Sequence, residues 1–332
     1  MNPRIRPFER VYVEDAAREH PGTARVLEQL ASSRVIVIDH YKDLFNRPRQ
    51  DWRAQKQAPS LILARRRDDF LYDGSAHTPD FGHPRFFYNA LALNCVYDCG
   101  YCYLQGMFPG AHVTLFVNNE DYLAAADRAL RDGPLYLALS YDTDLLTFEH
   151  LLPHAREWLA FARSRPELTV EIRTKSARYN LLRGIEPIPN AVLAWTLSPQ
   201  PVVERHEAMT PSLRHRVRAA AEAMRDGWRV RICIDPILRV PDWEKVYPDF
   251  IDELAGHLNL ANIQDFSLGV FRINKDYLKN MKRRAAPSEL LHYPYETNNG
   301  LSSYPKPQRD DMTALVRECL LRHVGAERIF VT

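Results

Sequence analysis

Three cysteines carry the strongest chemical signal in the chain. Asn94–Leu104 reads NCVYDCGYCYL, which sets Cys95, Cys99 and Cys102 in a Cys-x3-Cys-x2-Cys spacing. Thiolates on one short loop are how proteins hold iron–sulfur clusters. A four-iron cube offers four corners and this loop supplies three ligands; Cys233 and Cys319 lie far downstream. The spacing therefore predicts a 4Fe–4S cluster with one iron open to an exogenous ligand, and an open metal position marks a catalytic centre rather than a structural one. Gly100 and Tyr101 between the thiols, and Tyr103 after them, fit a tight loop around a bulky cluster. The alternative is zinc held by the three thiolates and a histidine such as His112, in a non-catalytic protein that binds a partner.

The elements that must position this loop alternate in type. Apolar strand patterns run over Phe86–Leu93, Leu135–Ser140, Leu168–Lys175, Ala191–Ser198, Trp228–Ile237 and Ile263–Phe271. Helical patterns fall between or after them, at Asn119–Arg131, Phe148–Ser164, Pro211–Arg225, Asp242–Leu258 and Asn274–Arg284. Strands alternating with helices imply βαβ units and a parallel sheet. The expected fold is α/β: a partial (β/α)6 TIM-type barrel over residues 85–285. A small α/β unit precedes it over 1–84, with strands at Arg10–Glu14, Arg34–Asp39 and Ser60–Ala64, a helix at Asp15–Leu30 and loops over 42–59 and Asp73–Pro84. A hairpin, a helix at Arg309–His323 and a closing strand at Glu327–Thr332 complete the chain over 286–332.

Side chains alternate faces along a strand. Glu171, Arg173 and Lys175 share one face of their strand, Thr196 and Ser198 of the next, and Arg231, Cys233 and Asp235 of the third. A closed barrel fills its interior with branched apolar residues. Polar faces on three successive strands predict instead a polar lumen, open at the C-terminal rim, for a large polar cofactor. By the same parity Cys233 points into the lumen, or is a small buried hydrophobe.

Composition narrows the class. With 44 basic and 42 acidic residues the chain is near neutral, so nucleic acid is not a required partner, though a local basic groove is compatible. No apolar run reaches the ~18–20 residues a bilayer span needs. The start, MNPRIRPFERVYVED, has no apolar leader core, which sets a cytoplasmic location and no membrane association as the default. Three cysteines within eight residues, in a reducing compartment, favour metal over disulfide.

The cysteine motif, with an aromatic before its last Cys, resembles the signature of the radical S-adenosylmethionine (SAM) superfamily. That likeness implies SAM chelating the open iron, reductive cleavage to a hydrogen-abstracting 5′-deoxyadenosyl radical, and an electron donor such as flavodoxin or ferredoxin. Further stretches resemble the spore photoproduct lyase family: VYVED at Val11–Asp15, CGYCYLQ at Cys99–Gln105, Val117–Asn118, LSYDTDLLTFEHL at Leu139–Leu151, RTK at Arg173–Lys175, WTLSPQ at Trp195–Gln200 and DGWRVRICIDPIL at Asp226–Leu238. The resemblance implies that Lys175 and Ser198 contact SAM, with Ser140 and Tyr101 in the same pocket, and that Tyr103 relays a hydrogen atom.

Two departures bear on the substrate. Tyr141 stands where the family has its hydrogen-donating cysteine, which leaves Tyr141 or Cys233 as the candidate donor. The family's DNA-gripping hairpin corresponds to Leu290–Gln308, where Lys306 is the only Lys or Arg, although Tyr293, Tyr295 and Tyr304 could stack on bases and Lys279–Arg284 lies just upstream. Asn299–Gly300 predicts the hairpin turn. The expectation is a lyase-like radical SAM enzyme with a diverged substrate, whether a nucleoside, another small molecule or a peptide. The alternative is a DNA-repair lyase reversing a pyrimidine photoproduct, on a base flipped out of the helix.

Overall fold

A computed structural model describes residues 8–75, 78–284 and 288–332. The N-terminal stretch through Pro7 and the middle of the Asp73–Pro84 loop lie outside the described residues. One sheet dominates. Its eight strands run, in spatial order, Ile329–Val331, Asp265–Val270, Arg229–Ile237, Ala191–Thr196, Leu168–Thr174, Leu135–Leu139, Phe86–Tyr88 and Tyr72–Asp73. All pairs are parallel except the last, and the sheet curls into a half barrel. The six barrel strands expected from the sequence are all present, and Ile329–Val331 adds a seventh parallel strand at one edge.

The alternation of residues explains the curl. Val170, Ile172, Trp195, Val230, Ile232 and Ile234 face outward, at most 1% exposed. Helices such as Leu213–Arg225 cover this outer face; Leu213, Val217, Ala220 and Ala223 make an apolar stripe at helical spacing along it. The opposite faces of the same strands carry Glu171, Thr196, Arg231 and Cys233, also buried but polar, and these fill the inside of the half barrel.

The first barrel strand is shorter than expected. Phe86–Tyr88 pairs with Leu135–Leu139, but Ala92–Leu93 leaves for a second sheet, antiparallel to Val113–Phe116. Asn89 makes the break: its side chain accepts from Ser140 N at 2.7 Å, which spends on a side chain the backbone donor a longer strand would need. The second sheet is ordered Arg34–Ile38, Arg10–Glu14, Leu61–Ala64, Val113–Phe116, Ala92–Leu93. It therefore takes two strands from beyond residue 84, and the cysteine loop hangs between them.

Residues 42–59 are not all loop. Tyr41–Phe45 and Trp52–Gln57 are short helices, each capped at its N-terminus by a side-chain acceptor, His40 and Asp51, that satisfies an otherwise orphan amide. The hairpin is present as Glu296–Asn298 and Leu301–Ser303, turned by Asn299 and Gly300, both at positive φ.

Candidate active site

The cysteine loop is held from both sides by its backbone. Asp98–Cys99 pairs antiparallel with Glu207–Ala208, and Gly100 N donates to His206 O at 2.7 Å. Gln105 Nε2 donates to Cys99 O at 2.7 Å, and Lys56 Nζ donates to Cys95 O and Tyr97 O, each at 2.6 Å. After the third cysteine, the single turn Leu104–Met107 packs on the helix Lys275–Arg284 so closely that a Cβ on Gly106 would lie 2.3 Å from Tyr277 O. Only glycine permits that approach. Asn280 and Arg284 then donate to Gly106 O at 2.8 Å and Gln105 O at 2.9 Å.

Cys95, Cys99 and Cys102 all line one cavity of about 510 Å³ at the C-terminal ends of the barrel strands. Lys175, Ser140, Tyr101, Tyr103 and Tyr141 line it too, so eight of the ten residues singled out from the sequence converge. The other two lie behind its wall. Ser198 is 1% exposed and spends its hydroxyl on Glu207 at 3.0 Å, and Cys233 is fully buried. The groups that perturb Cys233 are Arg173, Glu171, Arg231 and Asp235, so it does face the polar interior, below the cavity, where burial pushes its thiol up to about 12.

Burial dominates the cysteine loop as well. It pushes the Cys95 thiol up to about 12, and raises Cys99 and Cys102. A thiol in that state binds metal by giving up its proton. Tyr103 donates to Asp142 Oδ1 at 2.9 Å, and Tyr141 shares a hydrogen bond with Thr78 Oγ1 at 2.9 Å. Burial raises Asp142 above the usual carboxylate range, the bond from Tyr103 only partly opposing it. Lys175 sits 5.4 Å from the Tyr101 ring centre; its backbone N donates to Asp144 at 2.6 Å, which Thr174 also reaches at 2.7 Å. Ser140 is held at φ 54°, with its hydroxyl accepting from Ala92 N at 3.2 Å.

Several functional neighbours were not singled out from the sequence. Tyr101 and Ser198 both donate to Glu207, whose carboxylate pairs with Arg216 at 2.5 Å, both side chains being 0% exposed. Burial alone would raise Glu207, but Arg216, with Lys175 and the Tyr101 hydroxyl, holds it below the usual range. Under the cavity, Arg231 binds Glu171, Asp265 and Tyr136 and stacks on Phe81, while Arg173 bonds Glu171 at 2.8 Å. Arg272 forks onto Asp235 at 3.0 and 3.1 Å on the cavity wall. Gly269 leaves room for that pair, since a Cβ there would meet Arg272 at 2.4 Å.

One expectation from the sequence changes, and a second gains detail. His112 is not in the cavity; it is 8% exposed, its ring 6.3 Å from that of Tyr12, and burial with Arg10 lowers it to about 4. Of the hairpin tyrosines, Tyr304 is buried while Tyr293 and Tyr295 are half-buried. Tyr293, Tyr295 and Tyr304 pack on one another with ring centres 4.9–5.3 Å apart, and each hydroxyl is taken: by Gln308, by Leu290 O and by Arg239 N. In the upstream run, Lys279, Lys282 and Arg283 stand exposed while Arg284 is turned onto the cysteine turn.

An incomplete parallel barrel with three loop thiols at its C-terminal rim is the architecture of the radical SAM enzymes. The family described as Spore photoproduct lyase matches residues 7–294, and the chain belongs to that family of radical SAM enzymes. It is 22% identical over 243 residues to a spore photoproduct lyase of Geobacillus sp. (strain Y412MC61), covering 71% of this chain and 69% of that one. Among solved structures it resembles a spore photoproduct lyase complexed with dinucleoside spore photoproduct, at a TM-score of 0.81, 18% identity, and coverage of 98% and 99% of the two chains. A doubly substituted spore photoproduct lyase with bound AdoMet and dinucleoside spore photoproduct matches at a TM-score of 0.81 and 19% identity, with the same coverage.

Proposed function

We propose that Cys95, Cys99 and Cys102 each hold one iron of a 4Fe–4S cluster, that SAM closes the fourth corner, and that the chain uses this pair to abstract hydrogen from a nucleoside-scale substrate in lyase-type chemistry. The observation that carries the reading is the meeting of three thiols, Lys175 and two hydrogen-bonded tyrosines in one cavity. The donor set fits the cluster: it is all sulfur, it sits on one loop, and that loop's carbonyls are tied down by Lys56 and Gln105. Among the described residues no histidine lines this cavity, and His112 lies outside it. When bound and reduced by one electron, the cluster and SAM supply a 5′-deoxyadenosyl radical; a flavodoxin or ferredoxin is the class of protein to deliver that electron.

The chain's own residues position and protect. Asp144 fixes the backbone of Lys175, whose ammonium then offers its charge to the carboxylate of SAM. Glu207 anchors Tyr101 and Ser198 behind the cysteine loop, which makes Ser198 a support for the pocket rather than a direct contact. Tyr88, Tyr97, Leu104, Phe271 and Ile273 line the cavity with apolar surface that keeps water from a reactive radical. Tyr103, held by Asp142, and Tyr141, held by Thr78, are the hydroxyls available to return a hydrogen atom where the family has a thiol.

A substrate gripped within duplex DNA is disfavoured by the hairpin. Its tyrosines pack on one another, and Lys306, its one cation, pairs with Asp310 at 2.5 Å. Family membership supports the second reading, repair of a pyrimidine photoproduct in DNA. Anaerobic reconstitution followed by dithionite and SAM tests the chemistry: 5′-deoxyadenosine should form, and Cys99→Ala should abolish it. Zinc in place of iron, with no cleavage, would refute it. Turnover of an irradiated dinucleotide but not of irradiated duplex would decide for the smaller substrate, and the reverse for repair.

A further inference from the structure

Lys56 is a buried cation without an anion. The residue is 8% exposed, on the helix Trp52–Gln57 of the N-terminal unit. Its ammonium donates to two carbonyls of the cysteine loop, Cys95 O and Tyr97 O at 2.6 Å each, and lies 5.3 Å from the Trp52 ring centre. Among the described residues it forms no ion pair with any carboxylate. Buried charges in proteins are paired or bind metals, since burying a lone charge is costly. Carbonyl dipoles and an aromatic face compensate part of that cost, and an anion is still missing.

The cluster proposed above supplies it, and this inference rests on that reading. With three thiolates the cluster is anionic, and accepting an electron makes it more so. We propose that Lys56 is the cluster's fixed counter-charge and sets the potential at which it is reduced. Two further observations agree. First, the Lys56 ammonium is bonded inside the loop that carries all three thiols, at Cys95 itself and two residues on at Tyr97. Second, Lys56 reaches the loop through backbone carbonyls rather than sulfur, so it leaves every thiolate free for iron. A positive charge beside a centre that becomes more negative stabilises the reduced form and raises its potential.

Lys56 is thus a positioning and tuning residue, and a potential separates this role from a purely structural one. The experiment is an EPR-monitored redox titration of the reconstituted wild type, Lys56→Gln and Lys56→Arg, with iron and sulfide counted per chain. Lys56→Gln keeps hydrogen-bond donors and loses the charge; its reduced-to-oxidised ratio at a fixed potential should fall about tenfold, a shift of about 59 mV to more negative values for a one-electron couple. Lys56→Arg should stay with the wild type. Equal potentials for wild type and Lys56→Gln, or an Arg variant that shifts like the Gln variant, overturn the inference. If folded Lys56→Gln takes up no iron, an Arg variant that loads like the wild type supports a charge requirement, and one that also fails overturns it. A wild type that assembles no cluster would sink the reading of the site itself, a result distinct from any of these.

Discussion

Removing Arg216 should destabilise the chain strongly at neutral pH and much less in mild acid. Arg216 and Glu207 are both fully buried and 2.5 Å apart, and Arg216 also donates to Pro211 O at 2.8 Å and Thr210 Oγ1 at 2.6 Å. In Arg216→Met the guanidinium goes and the buried Glu207 carboxylate keeps only the Tyr101 and Ser198 hydroxyls and the Lys175 charge. Breaking a buried pair from one side costs about 3–5 kcal/mol. The carboxylate can escape by protonating, which from an ordinary pKa near 4.5 costs about 3.4 kcal/mol at pH 7, at 1.36 kcal/mol per unit, and about 1.4 kcal/mol at pH 5.5. The sign follows: without Arg216 the folded-state pKa of Glu207 rises above its unfolded value, so the folded chain binds the extra proton and the variant regains stability as pH falls below that raised value. Urea unfolding at pH 7 and pH 5.5 should show a loss of about 3 kcal/mol or more that shrinks by about 2 kcal/mol in acid. The double variant Glu207→Gln/Arg216→Met should recover most of the loss, because no buried charge remains. Since Glu207 holds Tyr101 and its strand holds Cys99, iron content should fall with stability in the single variant. A loss below 1 kcal/mol at pH 7, or one that does not change with pH, would refute this account of the pair.

The remaining expectations are briefer. Burial would raise Glu171, but Arg173 and Arg231 bring it down to about 2; its stabilising contribution is full above pH ~4.5 and lost as pH falls toward 2, so Glu171→Gln should remove about one proton's worth of slope from stability measured across that window. Gly106→Ala should cost about 1–3 kcal/mol and loosen the cysteine turn, because its Cβ would meet Tyr277 O at 2.3 Å, whereas Gly100→Ala, whose Cβ meets only His206 O at 3.8 Å, should be tolerated; equal unfolding midpoints for the two would contradict the packing argument. Tyr141→Phe removes the hydroxyl bonded to Thr78 and should slow turnover or change the product distribution read by mass spectrometry, and an unchanged profile would exclude it as hydrogen donor.

How much could be read from residues alone depended on the range of the signal. The barrel strands and the inward set Glu171, Thr196 and Arg231 were legible because a strand's alternation is local and their polar side chains repeat it on neighbouring strands. The cysteine spacing was legible because three ligands sit on one loop. The split of Phe86–Leu93 was not, since a single Asn in an otherwise apolar run does not mark a break by itself, and the break depends on Asn89 meeting Ser140 51 residues away. Val113–Phe116 escaped notice for the same reason: its partner strands are Leu61–Ala64 and Ala92–Leu93, so nothing beside it in sequence marks it as a strand of the first sheet. Glu207 with Arg216, and Lys56 with the cysteine loop, are partnerships of single charged residues that in sequence look like ordinary solvent-facing charges, and only the fold buries them. Tyr293, Tyr295 and Tyr304 were recognisable as a cluster, but whether a tyrosine faces a base or its own neighbours is decided by packing.

The central claim, that three thiolates leave one iron for SAM, is tested most directly by ENDOR spectroscopy of the reduced, reconstituted protein with SAM labelled by 15N at its amino group and 17O at its carboxylate. Hyperfine coupling of both labels to the cluster, present in the wild type and lost in Cys102→Ala, is the predicted result. A cluster fully ligated by protein side chains, showing no coupling to either label with SAM in excess, would contradict it.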